Sequence, residues 1–102
     1  MRVVALVSDL MDRSRISVAA PGVEFIAAVD GARDAGVVVV DLARFSDAVA
    51  TVRAIAPDAR IVAYGSHVDE PTLDRARTDG ADLVLPRSRF FRDPASHLAP
   101  TT

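Results

Sequence analysis

The chain has 102 residues, half of them hydrophobic and a quarter charged, with 12 basic against 14 acidic side chains and a net charge of −2. That balance fits one globular domain, burying somewhat over ~60% of its unfolded surface, and excludes a disordered polyelectrolyte. The absence of cysteine excludes disulfides, thiolate metal sites and cysteine nucleophiles, and two separated histidines, His67 and His97, make no zinc site.

Every basic residue is arginine and the charges are interspersed, so no basic stripe for nucleic acid is present. The apolar run that ends at Val7 is too short for a secretory signal or a membrane span. A cytoplasmic location, without nucleic-acid or membrane partners, is therefore expected.

Short apolar runs alternate with helix-period stretches, the pattern of βαβ units and a parallel sheet. Residues 2–7 read as a first strand. Asp9 or Ser8 can cap the helix that follows, with Leu10, Ser14 and Val18 on one face, until Pro21-Gly22 stops it. Residues 23–29 read as a second strand. The next seven residues, from Asp30 to Gly36, leave room for only a turn or two of helix.

Val37-Val38-Val39-Val40 is the clearest element. Four β-branched residues without polar alternation fit a central strand covered on both faces, and Asp41 ends it. Ser46 or Asp47 then caps a helix whose apolar face is Val49, Val52 and Ala56, closed by Pro57.

A fourth strand spans 60–64. Asp69-Glu70-Pro71 opens a helix that offers only Leu73 and Ala76 to a core, and Gly80 supplies its left-handed stop. Leu83-Val84-Leu85 is a fifth strand, followed by Arg87-Ser88-Arg89-Phe90-Phe91 and a break at Pro94. The expected domain is 1–92, with 93–102 as a flexible C-terminal tail.

Right-handed crossovers make this an open parallel five-stranded sheet with helices on both faces. Ligand and catalytic groups of such sheets gather where strands end at their carboxyl edge. Asp9, Asp41, Gly65-Ser66 and Arg87 all fall there. Neither a nucleophile-elbow serine, a G-x-G-x-x-G nor a P-loop occurs, which argues against a hydrolase or a nucleotide site.

From the third strand onward the chain resembles response-regulator receiver domains. Val37-Val38-Val39-Val40-Asp41-Leu42 is similar to their third strand running into the phospho-accepting aspartate. Pro57-Asp58-Ala59-Arg60-Ile61-Val62-Ala63-Tyr64 is similar to the approach to their fourth strand. Gly80-Ala81-Asp82-Leu83-Val84-Leu85-Pro86-Arg87 is similar to their entry to the fifth strand and its lysine. The resemblance implies a flavodoxin-like fold, here with the second and last helices shortened. It puts Asp41 at the phospho-acceptor position, Asp9 and Asp41 at the Mg²⁺ position, and Ser66 or Arg87 where phosphate is contacted or the site is closed.

The match is incomplete. The family's paired acids after the first strand read Ser8-Asp9; its hydroxyl residue after the fourth strand falls on Gly65, with Ser66 one position on. Its lysine falls on Arg87 and its fifth-strand switch aromatic on Val84. A carboxylate gains little as a phosphoryl acceptor unless charge on the transferring oxygens is neutralised. Mg²⁺ held by Asp9 and Asp41 would have fewer charges than usual, and arginine is not a conservative replacement for lysine at a tight site. Each deficit is worth about 1–3 kcal/mol, or roughly one to two decades in rate.

The expectation is thus a stand-alone pseudo-receiver, not an enzyme, that signals by binding a protein partner such as a sensor kinase or regulatory protein. No cofactor is required for that, and Mg²⁺ enters only if the site phosphorylates. The alternatives are a working phosphorelay receiver with Asp41 as acceptor and a small-ligand-binding flavodoxin-like domain. Plainer roles stand beside these: Asp9 as a helix cap, Arg87 paired with Asp41 to hold the site shut, Ser66-His67 as an exposed loop. Two shortened helices should leave one sheet face thinly covered. Phe90 and Phe91 either fold back over it or form an interface, for which a homodimer is the expected form.

Overall fold

A computed structural model describes residues 1–98. Five strands run in parallel: β1 (Val3–Leu6), β2 (Glu24–Phe25), β3 (Val37–Asp41), β4 (Arg60–Gly65) and β5 (Leu83–Pro86), in the order β2-β1-β3-β4-β5. The helices are α1 (Leu10–Ala19), α2 (Ala48–Ile55), α3 (Glu70–Thr78), α4 (Arg87–Arg92) and α5 (Pro94–Leu98). A single 3₁₀ turn, Val29–Ala32, stands between β2 and β3 where a helix would otherwise cross.

The polyvaline strand lies at the centre and is buried on both faces. Val38 and Val40 join Leu6, Ile61, Val49, Val52 and Leu73 in the core under α2 and α3. Val37 and Val39 face the opposite way, towards Ile16, Tyr64, Phe90 and Leu98 under α1, α4 and α5. Continuous β-branched residues suit such a strand because each successive side chain meets a different apolar layer.

Three expectations about elements change. The second strand is two residues long, pairing with β1 only at Val4 and Ala5, after which the chain turns into the 3₁₀ segment. Arg2 holds that segment down, donating to the carbonyls of Gly31 and Arg33 while paired with Glu24. The α1 stripe Leu10, Ser14 and Val18 faces water, with Leu10 78% and Val18 82% exposed; Asp12 and Ile16 point inward instead. Asp47 occupies the start of α2 without capping it, because its carboxylate is spent on Arg75 of α3.

Residues 94–98 are not a loose tail. Pro94 begins a new short helix after α4 ends, and Leu98 is buried against the α1 side of the sheet. The expected tail is corrected to that extent, and 99–102 lie outside the described residues. Of the two roles open to Phe90, folding back over the sheet or forming an interface, it takes the first: it is fully buried and stacked on Tyr64 at 4.8 Å between ring centroids. Phe91 is half-buried and packs edge-on to both rings. With α4, α5 and the clamped 3₁₀ turn in place, neither sheet face is bare, which removes the reason for a second copy to cover one.

The Gly-Ala-Asp entry to β5 has a mechanical role at the opposite, amino edge. Gly80 adopts φ 115°, the left-handed region that stops α3. Asp82 accepts the Ile61 amide at the head of β4 and the Arg53 guanidinium, which also donates to the carbonyls of Gly80, Pro57 and Ala59. One arginine thereby ties α2 to the starts of β4 and β5.

Candidate functional site at the carboxyl edge

Strand register sets the site. Leu6 lies beside Val40, Asp41 beside Tyr64, and Gly65 beside Pro86. The residues that follow β1, β3, β4 and β5 therefore emerge at one level. They line a cleft of about 400 Å³ that includes Asp9, Asp12, Asp41, Arg44, Tyr64, Gly65, Ser66, His67 and Arg87. All four residues expected at this site, Asp9, Asp41, Ser66 and Arg87, are brought together there.

Asp41 ends β3 and is 5% exposed. Its Oδ1 accepts the Ala43 amide at 3.1 Å, an Asx-type contact that turns the chain towards α2. Burial pushes its carboxyl above the usual carboxylate range, and the neighbouring Asp12 charge adds to this, against the pull of the Ala43 amide and of Arg87 and Arg44. Asp9 caps α1, accepting the Asp12 amide at 3.0 Å. That is the cap role its position allowed.

The expected ion pair is placed differently. Arg87 points to Asp12, one turn into α1, and not to Asp41. Its two terminal nitrogens donate to the two oxygens of the Asp12 carboxylate, and the Tyr64 hydroxyl donates to Oδ2 at 2.9 Å. Asp12 is fully buried, its side chain 1% exposed, whereas that of Arg87 is 47% exposed. Burial alone would raise the Asp12 carboxyl, but the hydrogen bonds from Arg87 and Tyr64, with the charges of Arg87 and Arg15, hold it below the usual value. The same contact holds the Arg87 guanidinium more firmly protonated. Burial and the two nearby carboxylates push the Tyr64 phenol upward, so its proton stays in the bond to Asp12.

Asp12 and Tyr64 are the site residues that sequence reasoning missed. Two signals pointed to them: Asp12 stands four residues from Ile16 on one helical face, and Tyr64 sits inside an apolar strand, where its hydroxyl needs a partner. The cluster continues outward. The Arg87 guanidinium lies 4.9 Å from the Phe91 ring centroid and 5.8 Å from that of Tyr64.

The hydroxyl side of the cleft is sparse. Ser66 is exposed, its Oγ turned to the Val68 amide at 3.4 Å within its own loop. Gly65 is buried, and a Cβ there would meet Leu42 Cβ and Leu73 Cδ2 at 3.3 Å. A side chain at this position would need those two leucines to give by a few tenths of an ångström. The donors suit a divalent cation poorly: Asp12 is engaged by Arg87 and Tyr64, Asp9 caps a helix, and residue 8 is a serine. Among the described residues no three acidic or imidazole side chains are grouped to hold a metal ion.

No protein-family model matches the chain, and no curated protein matches it in sequence. Solved structures do match. The chain superposes on a response regulator receiver domain from Clostridium thermocellum with TM-score 0.75 and 13% identity, covering 94% of this chain and 89% of that one. This is a receiver-like fold. A response regulator from Burkholderia pseudomallei, solved with a phosphorylated aspartic acid, calcium and citrate, matches at TM-score 0.70 and 21% identity over 97% of this chain and 67% of that one. A CheY-like protein of Pseudomonas aeruginosa matches at 0.69 and 17%, over 86% and 87%. The receiver-like order of strands brings Asp41 to the end of the central strand and Arg87 to the end of the last. No helix among the described residues is long and apolar enough to cross a membrane.

Proposed function

We propose that this receiver-like domain is a signalling module that works by binding a protein partner in the cytoplasm, and that it is not an efficient phosphoryl acceptor. The observation that carries the reading is the Asp12–Arg87 pair. It commits the one cation at the end of β5 to a carboxylate other than Asp41, and it withdraws that carboxylate from any ligand. Asp41 is left buried, with a raised carboxyl and the Ala43 amide as its hydrogen-bond donor. An acceptor whose ionised form is disfavoured, with the cation at the end of β5 committed elsewhere and Arg44 left in the cleft, gains less transition-state stabilisation.

A second reading, an atypical phosphorelay receiver with Asp41 as acceptor, draws on the placement of Asp41 in an open cleft at the carboxyl edge. One measurement separates the two. The protein is incubated with Mg²⁺ and acetyl phosphate and weighed intact. The binding-module reading expects no stoichiometric adduct; one added phosphate per chain, lost in Asp41→Asn, would overturn it.

A further inference from the structure

We propose that the cleft at the carboxyl edge binds a small organic molecule carrying a protonated amine on an apolar body, with the amine held at the Asp41 carboxylate. The proposal goes beyond the partner-binding reading and does not rest on it.

Asp41 sets this place apart from the rest of the surface. Asp12 and Asp41 are the two buried charged side chains among the described residues. Asp12 has Arg87 and Tyr64 around it, whereas Asp41 belongs to no ion pair. Every other carboxylate without an ion pair among the described residues is exposed. Of the two Asp41 oxygens, Oδ1 accepts the Ala43 amide. Oδ2 accepts no hydrogen bond from the described residues and keeps contact with the cleft that Asp41 lines. A carboxylate taken out of water without a cation or a full set of donors is unfavourable, and an ammonium group on the free oxygen supplies both.

The charges around the cleft choose the sign of the ligand. Asp9, Asp12 and Asp41 line it together with Arg44 and Arg87, which leaves one net negative charge. Arg87 is spent on Asp12, and Arg44 lies beyond salt-bridge distance of Asp41. An anion therefore meets Asp41 unshielded, while a monocation neutralises the cleft. A divalent ion needs more oxygen ligands than Asp41 has beside it; an ammonium needs one carboxylate and apolar surface for its body. That surface is present. Ala43, Tyr64 and Gly65 line the cleft, and the chain beside Asp9 and His67 runs on into Leu10, Met11 and Val68, three of the five large hydrophobic side chains exposed among the described residues. The volume of about 400 Å³ falls within the ~300–1,000 Å³ of small-molecule pockets.

The test titrates the full, isotope-labelled chain and follows its amide chemical shifts. Four probes are compared: phenethylamine, the anion hydrocinnamate, the zwitterion phenylalanine, and Nα-acetyl-lysine amide, whose amine stands for a lysine side chain of a partner protein. Phenethylamine should bind best, with shifts centred on residues 41–44 and 64–67. Hydrocinnamate should bind roughly tenfold more weakly or not at all. Asp41→Asn keeps an oxygen for the Ala43 amide and should weaken the amine roughly tenfold or more. Asp58→Asn makes the same change in net charge at an exposed position outside the cleft, and should alter it less than about twofold. Excess Mg²⁺ should not displace the amine. Shifts centred elsewhere, equal loss in the two variants, tighter binding of the anion or the zwitterion, or displacement by Mg²⁺ would each overturn the amine site. Tighter binding of the lysine derivative would overturn the small molecule as its occupant. The titrations need neither a phosphodonor nor a partner, so their failure leaves the partner-binding reading where it stood.

Discussion

Arg87, the first residue of α4, grips Asp12, in the first turn of α1, and thereby joins two elements 75 residues apart across the mouth of the sheet. The two ends of the pair are unequally buried, at 1% exposure for the Asp12 side chain and 47% for that of Arg87. Removing either partner therefore leaves a different problem behind. Arg87→Ala strands a buried carboxylate with only Tyr64 to satisfy it, at a cost of about 3–5 kcal/mol. Asp12→Asn frees a guanidinium that can turn to water, and should cost about 1–3 kcal/mol. Urea unfolding of both variants checks the order, and equal losses would contradict it.

The pair also governs any attempt to restore phosphorylation. Ser8→Asp with Arg87→Lys returns two features of a working receiver, yet a lysine at that position still has the Asp12 carboxylate to bind. The double variant should therefore gain little phosphate from acetyl phosphate with Mg²⁺. Adding Asp12→Asn should release the cation towards Asp41 and raise the initial rate of incorporation by roughly tenfold or more. If the double variant already matches the triple, Asp12 is not the competing group. Gly65→Thr should not be added to the set, because its Cβ would press on Leu42 and Leu73.

Much of this was legible in the sequence, and the limits have a physical pattern. The polyvaline strand, Asp41 at its end, the Leu73 and Ala76 face of α3 and the Gly80 stop all follow from local residue chemistry. The inward face of α1 does not. Leu10, Ser14 and Val18 make the better apolar stripe, but the helix turns Asp12 inward because Arg87 and Tyr64, 75 and 52 residues away, meet its carboxylate. A charge on a buried face looks like a solvated one until its partners are placed. The short β2 shows the same limit, since the segment that follows it is held by Arg2, distant in sequence, on the carbonyls of Gly31 and Arg33. The fate of Phe90 also rests on a distant residue, Tyr64, against which it stacks.

That stack gives a stability prediction. Phe90 is fully buried among Tyr64, Phe91 and His97, whereas Phe91 is half-buried. Phe90→Ala should cost about 3–5 kcal/mol. Phe91→Ala should cost about half as much, since less of its ring leaves water on folding. Thermal unfolding ranks the two, and a milder effect at Phe90 would mean that α4 does not pack on the sheet as described.

Asp12 and Asp41 should give the protein opposite responses to pH. Asp12 is held below its ordinary value of 3.8, so the stability it contributes is complete above pH 3.8 and is lost as pH falls through its lower folded value. Asp41 is raised above 3.8, so it is most favourable when protonated and becomes a burden as pH rises from 3.8 through its folded value. Asparagine at position 41 removes that burden while its side-chain oxygen still accepts the Ala43 amide. Asp41→Asn should accordingly melt higher than the parent at neutral pH, with the difference shrinking as pH is lowered towards 3.8 and vanishing below it. Arg87→Ala should do the reverse: its deficit is largest at neutral pH and narrows in acid, where the stranded Asp12 takes up a proton. Melting curves of the three proteins from about pH 3 to pH 7 decide both signs. A difference between Asp41→Asn and the parent that stays constant across that range would show that Asp41 titrates as it does in the unfolded chain, and that the cleft does not disfavour its charge.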